Sequence, residues 1–378
     1  MNSKKQIPQF RDTNLTPFKE EGTALNVVDG KEVLSPIAPN AKERFLKKKR
    51  SKPNADSLVE KILQGDRVSL GIAITLIEST KSSDRDIASK IIDKTINSSG
   101  NSIRLGITGV PGVGKSTFIE AFGMKLIEMG KKVAVLSVDP SSGITGGSIL
   151  GDKTRMEKLS GSEKAFIRPS PTSGSLGGVN KKTRETIYLC EAAGYDVIIV
   201  ETVGVGQSET LVHSMTDFFL LLELAGAGDE LQGIKKGIME MADAIAITKA
   251  DGDNIGKARM AKSEKEIALH LSRNITNYWK IPVMLTSAVT GEGVVDVYNK
   301  IEDYISIIKA NGVFEEKRKR QLLNWFDSLL VERLEYSFNM DSRVRERRLE
   351  IESAILENKI SPVDANDELI KIFRGENE

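Results

Sequence analysis

The chain has 378 residues, 54 Lys and Arg against 53 Asp and Glu, a net charge of +1 and 5% aromatic residues. That balance gives no electrostatic basis for binding nucleic acid. The single cysteine, Cys190, excludes an internal disulfide framework and suits a reducing compartment. No run approaches the roughly 18 apolar residues of a membrane span, and the longest, Phe218 to Leu222, is ended by Glu223.

The first residues, MNSKKQIPQFRD, lack the apolar stretch of a secretory signal. A cytoplasmic protein without membrane attachment is expected. Residues 1–53 are polar, contain Pro8, Pro17, Pro36, Pro39 and Pro53, and have no sustained periodicity. They read as a mostly disordered extension. Asp12, Glu20 and Glu21 fit an acid-poor transit peptide poorly. The run Lys47 to Arg50 with Lys52 reads as a solvated arm.

Residues 54–100 read as a small helical unit. Ser57 and Glu60 fit a capping box, with Leu58, Ile62 and Leu63 at helical spacing before Gly65. Two more amphipathic helices are predicted over Ser69–Ser79 and Asp84–Ile96. Ile72, Leu76, Ile87, Ile91 and Ile92 form their expected buried stripe.

Residues 101–311 alternate strand and helix. Strands are predicted at Ile103–Ile107, Val133–Val138, Ala165–Ile167, Val197–Val200, Phe218–Leu222, Ala244–Thr248 and Val283–Thr286. Helices are predicted at Ser116–Met129 and Lys181–Ala193, between Ile255 and Asn277, and between Val294 and Ile308. Cys190 falls in an apolar helical context and reads as core. This alternation predicts an α/β fold with a doubly wound, mostly parallel sheet. Such sheets bind ligands at the carboxyl ends of their strands. Residues 312–378 turn helical again: Glu315–Phe338, with Leu322, Trp325, Phe326, Leu329, Leu330 and Leu334 as an apolar stripe, then Ser342–Leu356, then a short helix from Ser361-Pro362. That stripe needs a partner, either within the chain or in a second copy of it.

The stretch Gly109-Val110-Pro111-Gly112-Val113-Gly114-Lys115-Ser116-Thr117 fits G-x-x-x-x-G-K-[ST] between a strand and a helix. Its glycines let backbone N–H groups surround a phosphate chain, Lys115 adds positive charge near the β- and γ-phosphates, and Ser116 offers a hydroxyl to Mg²⁺. Mg²⁺ takes oxygen ligands. Asp139 and Glu201 at strand ends are candidates. Asp152, in the Gly-rich loop 146–152, is balanced between ligand and plain loop residue. Glu201-Thr202-Val203-Gly204 has the shape of the D-x-x-G γ-phosphate sensor, with Gly204 offering its N–H. Gln207 stands three residues beyond Gly204, which makes a water-orienting role doubtful. Thr248-Lys249-Ala250-Asp251 follows a strand and matches N-K-x-D with Thr for Asn. The Asp251 carboxylate can accept from guanine N1–H and the 2-amino group, donors that adenine lacks, and the Lys249 stem can lie over the base. Thr248 keeps a hydroxyl and loses an amide. Ser287 and Ala288, after a further strand, fit the last base-contacting loop. In this order the motifs favour GTP over ATP.

Taken with Val138-Asp139-Pro140-Ser141-Ser142, Gly147-Ser148-Ile149-Leu150-Gly151-Asp152-Lys153-Thr154-Arg155-Met156, Arg168-Pro169-Ser170-Pro171-Thr172-Ser173-Gly174-Ser175-Leu176-Gly177-Gly178-Val179 and 201–209, the chain resembles the methylmalonyl-CoA mutase-associated GTPases (MeaB/ArgK type) from about Ser57 to its end. These belong to the signal-recognition-like branch of P-loop GTPases, where T-K-x-D also occurs. The resemblance implies GTP/GDP and Mg²⁺ as cofactors, with Ser116, Asp139, Asp152 and Glu201 at Mg²⁺-associated positions. It implies that Leu224 to Lys235 is an additional switch, with Asp229, Gln232 and Lys235 coupling hydrolysis to a partner. It also implies a homodimer through the C-terminal helices. The implied role is a GTP-hydrolysing chaperone of an adenosylcobalamin-dependent acyl-CoA mutase, gating cofactor loading and protecting or reactivating the mutase. Three alternatives stand beside it. A nickel-insertion GTPase needs ligand clusters, and His213, His270 and Cys190 are scattered. A kinase-like ATPase linked to amino-acid transport has no transport-specific feature in its favour. A non-catalytic GTP-dependent scaffold would bind without turnover.

Overall fold

The computed structural model describes residues 54–79, 81–138, 156–169, 176–202, 208–225, 232–271 and 278–376; of Ser82, 176–181, 232–236 and Leu271 only the backbone is described. The expected extension 1–53 and Asp139, Asp152, Gly204, Gln207 and Asp229 lie outside those residues, as do the side chains of Gln232 and Lys235.

Three helices come first: α1 (Ala55–Leu63), α2 (Arg67–Glu78) and α3 (Ser82–Thr95). The expected Ser57 capping box is not what starts α1. Asn54 takes the extended cap conformation and its Oδ1 accepts from Asp56 N at 3.0 Å. The cap therefore lies three residues earlier, where an amide oxygen reaches a free N–H group of the first turn. Asp66 caps α2 in the same way, accepting from Ser69 N at 2.8 Å. Leu70, Ile74 and Ile77 of α2 are buried with Ile91 and Ile92 of α3, while Ile72 is 41% exposed. The stripe was phased one position off at Ile72, because Ile74 and Ile77 continue the face set by Leu70.

Then follow β1 (Ile103–Gly109), α4 (Lys115–Glu128), β2 (Val133–Val138), the short α5 (Glu157–Ser160), β3 (Ala165–Arg168), α6 (Leu176–Ala192), β4 (Val197–Thr202), α7 (Ser208–His213) and β5 (Phe218–Leu224). The remainder is α8 (Gln232–Met241), β6 (Ala244–Thr248), α9 (Ile255–Leu271), β7 (Val283–Leu285), α10 (Val294–Ala310), α11 (Val313–Met340), α12 (Ser342–Leu356) and α13 (Pro362–Arg374). The sequence pattern does not predict α5, α7 or α8. Two of them, α5 and α7, have 4 and 6 residues and are too short to establish a helical period, whereas α8 carries Ile234, Ile238 and Met241 at helical spacing. Glu201 lies inside β4 and not beyond it, because the ladder to β2 continues through Val138 and Thr202.

The seven strands form one sheet in the order β3-β2-β4-β1-β5-β6-β7, and every pair is parallel. Alternating residues feed two apolar layers. Leu105, Ile107, Val133, Val135, Val197 and Ile199 pack with Phe118, Ile119 and Phe122 of α4 and with α10. Ala134, Leu136, Ile198 and Val200 face the other way, toward α6 and the N-terminal helices. Burial on both faces explains the continuous apolar strands. Cys190 of α6 is fully buried in the second layer, and burial beside Glu191 pushes its thiol pKa up, so it is core as expected.

A buried ionic network fixes α11 to the amino ends of these strands. Arg104 donates from Nε and Nη2 to Glu191, both at 2.8 Å, and Glu191 also accepts from Ser102 Oγ at 2.8 Å. Arg318 donates to Asp217 through Nε at 2.9 Å and Nη2 at 2.7 Å, and Arg104 N donates to the same carboxylate at 2.8 Å. Burial alone would raise the Asp217 pKa; Arg318, with help from Arg104, outweighs it and holds the carboxyl below its ordinary value. Removing one partner of such a pair leaves a buried charge uncompensated. Arg318→Ala is therefore expected to cost about 3–5 kcal/mol in urea unfolding. Because a depressed carboxyl pKa contributes stability that is lost as pH falls through the folded value, the variant's residual stability should also depend less on pH across the acid range. A loss under about 1 kcal/mol would show that α11 is held by its apolar contacts instead.

Candidate nucleotide site

The site is built where β1 ends. A Cβ placed on Gly109 would lie 2.6 Å from Leu222 O, so the neighbouring strand leaves room only for glycine there. The chain then turns and enters α4 through Gly114, whose φ of +96° is a left-handed conformation. Val113 is fully buried and anchors the loop, while Pro111, Gly112 and Thr117 are exposed. The free N–H groups of the first turn of α4 face the loop, the arrangement that binds phosphate.

Lys115 is buried, and its Nζ donates to Gly109 O at 2.7 Å and Val110 O at 3.3 Å. Burial lowers its pKa, and the charges of Glu201 and Glu209 partly restore it. Glu209, in the first turn of α7 and 1% exposed, is a site residue that the pattern reading passes over. The available signal was an acidic residue at a helix start just beyond the sensor-like motif. Ser116 Oγ donates to Glu201 Oε1 at 3.4 Å. Beside Glu201, Thr202 Oγ1 donates to Thr108 Oγ1 at 2.8 Å and ties β4 to β1.

A hydroxyl and a carboxylate at the mouth of a phosphate loop are hard oxygen donors suited to Mg²⁺. The described residues thus fit that ion through Ser116 and Glu201. Among the described residues no three His, Cys, Asp or Glu side chains gather into a metal-binding group.

The base end is assembled from the loops after β6 and β7. Thr248 Oγ1 lies 2.7 Å from Val113 O and 3.2 Å from Glu223 O, so its hydroxyl replaces the tether that an asparagine amide would make. Among the described residues Lys249 is one of two non-glycine residues with positive φ, at 54°. Its carbonyl accepts from Asn254 Nδ2 at 2.8 Å, and its Nζ donates to Gly112 O at 3.1 Å. That backbone strain lays the lysine stem over the phosphate loop. Ser287 Oγ donates to Asp251 Oδ2 and accepts from Thr290 N at 3.1 Å. Ala250 N donates to Thr286 O at 3.0 Å, closing the two loops onto each other, with Ala288 half-buried beside them. The structure therefore brings together Lys115, Ser116, Glu201, Thr248, Lys249, Asp251, Ser287 and Ala288.

A cavity of about 1040 Å³ lies elsewhere, toward the ends where β6 and β7 begin, lined in part by His213, Asp243, Trp279, Tyr304 and Lys317. None of the expected site residues lines it. Among the described residues no helix is long and apolar enough to cross a membrane.

Comparison with known proteins agrees with this fold. A probable GTPase of Mycobacterium tuberculosis is 47% identical over 317 residues, covering 84% of this chain and 94% of that one. GTPase ArgK of Escherichia coli is 50% identical over 267 residues, 71% of this chain and 81% of the relative. The mouse protein described as methylmalonic aciduria type A homolog, mitochondrial, is 44% identical over 330 residues, 85% of this chain and 80% of the relative. A crystal structure described as a LAO/AO transport system kinase superposes with a TM-score of 0.66 at 37% identity, covering 86% of this chain and 99% of that one. The family model for the methylmalonyl-CoA mutase-associated GTPase MeaB matches residues 70–342, and the chain belongs to that family.

Proposed function

We propose that this chain is a Mg²⁺-dependent GTPase, converting GTP and water to GDP and phosphate, whose conformational output acts on an adenosylcobalamin-dependent acyl-CoA mutase. Methylmalonyl-CoA mutase is the partner that the family's description favours. The observation that carries the guanine reading is the Asp251 carboxylate, held by Ser287 beside a lysine stem and tethered through Thr248 to the phosphate loop. A carboxylate in that position accepts two hydrogen bonds from guanine and none from the corresponding edge of adenine.

Hydrolysis in such a site is positioning plus charge stabilisation. The loop N–H groups from Gly112 to Thr117 cradle the β-phosphate. Lys115 places its ammonium group between loop and phosphates, leaving Gly109 O and Val110 O to do so. Ser116 and Glu201, with Asp139 and Asp152, would hold a Mg²⁺ ion, which would supply charge neutralisation to the phosphates. Gly204 would supply its N–H to the γ-phosphate. Asp229, Gln232 and Lys235 carry this state to the partner. Gating of cofactor loading and protection of the mutase are the outcomes assigned to it. The same reading divides the chain into 1–53, 54–100, 101–311 and 312–378 and assigns it a cytoplasmic location.

The clearest test uses purified full-length chain with GTP and ATP, with and without the mutase. GTP should be hydrolysed slowly alone and at least about tenfold faster with mutase, on the scale of one barrier decrement of 1.4 kcal/mol. ATP should be neither bound nor turned over at comparable concentration, and Lys115→Ala should abolish tight GTP binding. Equal use of ATP, or intact GTP affinity in the variant, would overturn the reading and favour the kinase-like alternative.

A homodimer through the C-terminal helices belongs to the same proposal. Supporting it, Trp325 of α11 is buried against the chain, whereas Leu322, Leu323, Phe326, Leu330, Val331 and Leu334 are between 46% and 64% exposed. An apolar face of this length marks an interaction surface, and an identical copy supplies a matching one by two-fold symmetry. Sedimentation velocity should give a dimer for the wild type and a monomer for Leu330→Asp. A monomeric wild type at tens of micromolar would contradict it.

A further inference from the structure

Ser137 is 5% exposed, and among the described residues its Oγ has no hydrogen-bond partner. A buried hydroxyl left unpaired is unusual, and an ion or its water is a standard resolution. Its position indicates which one. On β2, Val133 and Val135 point into the layer that contains α4, while Ala134, Leu136 and Val138 point away from it. Strand alternation puts Ser137 on the α4 side. Ser137 is the register partner of Glu201 on β4, and Glu201 is in turn the register partner of Ile107 on β1. Ser137, Glu201 and Ile107 thus form one row across three strands, each about 4.8 Å from the next. Ser116, in the first turn of α4, already reaches Glu201 from above that row.

We propose that Ser137 is a positioning residue for the Mg²⁺ ion carried with the nucleotide, its hydroxyl hydrogen-bonding the ion's hydration shell on the β2 side of Glu201. The inference rests on the GTP·Mg²⁺ reading above. Mg²⁺ sheds water reluctantly and is held through one or two carboxylates, phosphates and several waters. Those waters need acceptors and donors in the wall of the site, and Ser137 supplies one where β2 runs beside Glu201. Its place beside Glu201, on the strand next to β4, confines the proposed contribution to the metal's hydration shell.

The test is release of a fluorescent N-methylanthraniloyl-GDP from the full chain, followed across a Mg²⁺ titration and in EDTA, for wild type, Ser137→Ala and Ser137→Thr. The alanine variant should need about fivefold more Mg²⁺ for half-maximal slowing of release, the factor expected for one hydrogen bond of about 1 kcal/mol. Its release rate in EDTA should match wild type, and threonine, which keeps the hydroxyl, should return the midpoint to within about twofold. Without nucleotide, Ser137→Ala should melt no lower than wild type, since it removes an unpaired buried hydroxyl. An unchanged Mg²⁺ midpoint, or an equal change in EDTA, would overturn the assignment. If wild-type release is itself insensitive to Mg²⁺, the metal reading beneath this inference fails and the inference with it.

Discussion

The contact on which the site depends is short and crosses most of the fold. Thr248 Oγ1 meets Val113 O at 2.7 Å, 135 residues away in sequence. It joins the loop that fits phosphate to the loops that fit a base. Both ends are buried, so no water can stand in for the hydroxyl cheaply. Lys249 Nζ to Gly112 O adds a second tie on the exposed side. The distance between the two halves of the site is thereby set by the protein before any nucleotide is considered, which is preorganisation in its plainest form.

That tie requires β1, β5 and β6 to be adjacent and in register. Gly109 pairs with Leu222 and Leu224 with Thr248, so the carboxyl ends of the three strands are level. The level is maintained from the other end of the sheet by ionic contacts. Asp217 accepts from Arg104 N where β1 begins and from Arg318 on α11. Sheet register, phosphate loop and C-terminal helix are consequently one mechanical unit. The apolar face of α11 is therefore rigidly connected to the strands that carry the candidate site.

Much of this was legible in the sequence, for identifiable reasons. Fully buried parallel strands must be apolar on both faces, so Val133–Val138 and Ala244–Thr248 could be bounded to the residue. A phosphate loop has a steric requirement at each glycine, so 109–117 needed no alignment. Asp251 and Ser287 each follow a strand at one end of the sheet and meet in a hydrogen bond, a juxtaposition that the order of elements alone suggests. The misses have physical causes too. Asn54 replaced Ser57 as a cap because several side chains in that stretch can accept an N–H and only backbone geometry chooses among them. Glu209 closes the stretch 201–209 with no role that the stretch itself assigns, and Ser137 carries no motif; one is recognised by its field at Lys115, the other by an unpaired atom. The left-handed backbone of Lys249 is imposed by neighbouring loops and leaves no trace in composition.

The central claim is that Asp251 reads guanine. It is tested most directly by calorimetric titration of wild type and Asp251→Asn with GTP and with xanthosine triphosphate, which carries a carbonyl where guanine has its amino group. An asparagine amide offers one acceptor and one donor, matching xanthine's N1–H and that carbonyl. The account predicts that wild type binds GTP at least about a hundredfold more tightly than the xanthine nucleotide, and that the variant reverses the order. A variant that loses affinity for both equally, or keeps its preference for GTP, would show that Asp251 does not face the base.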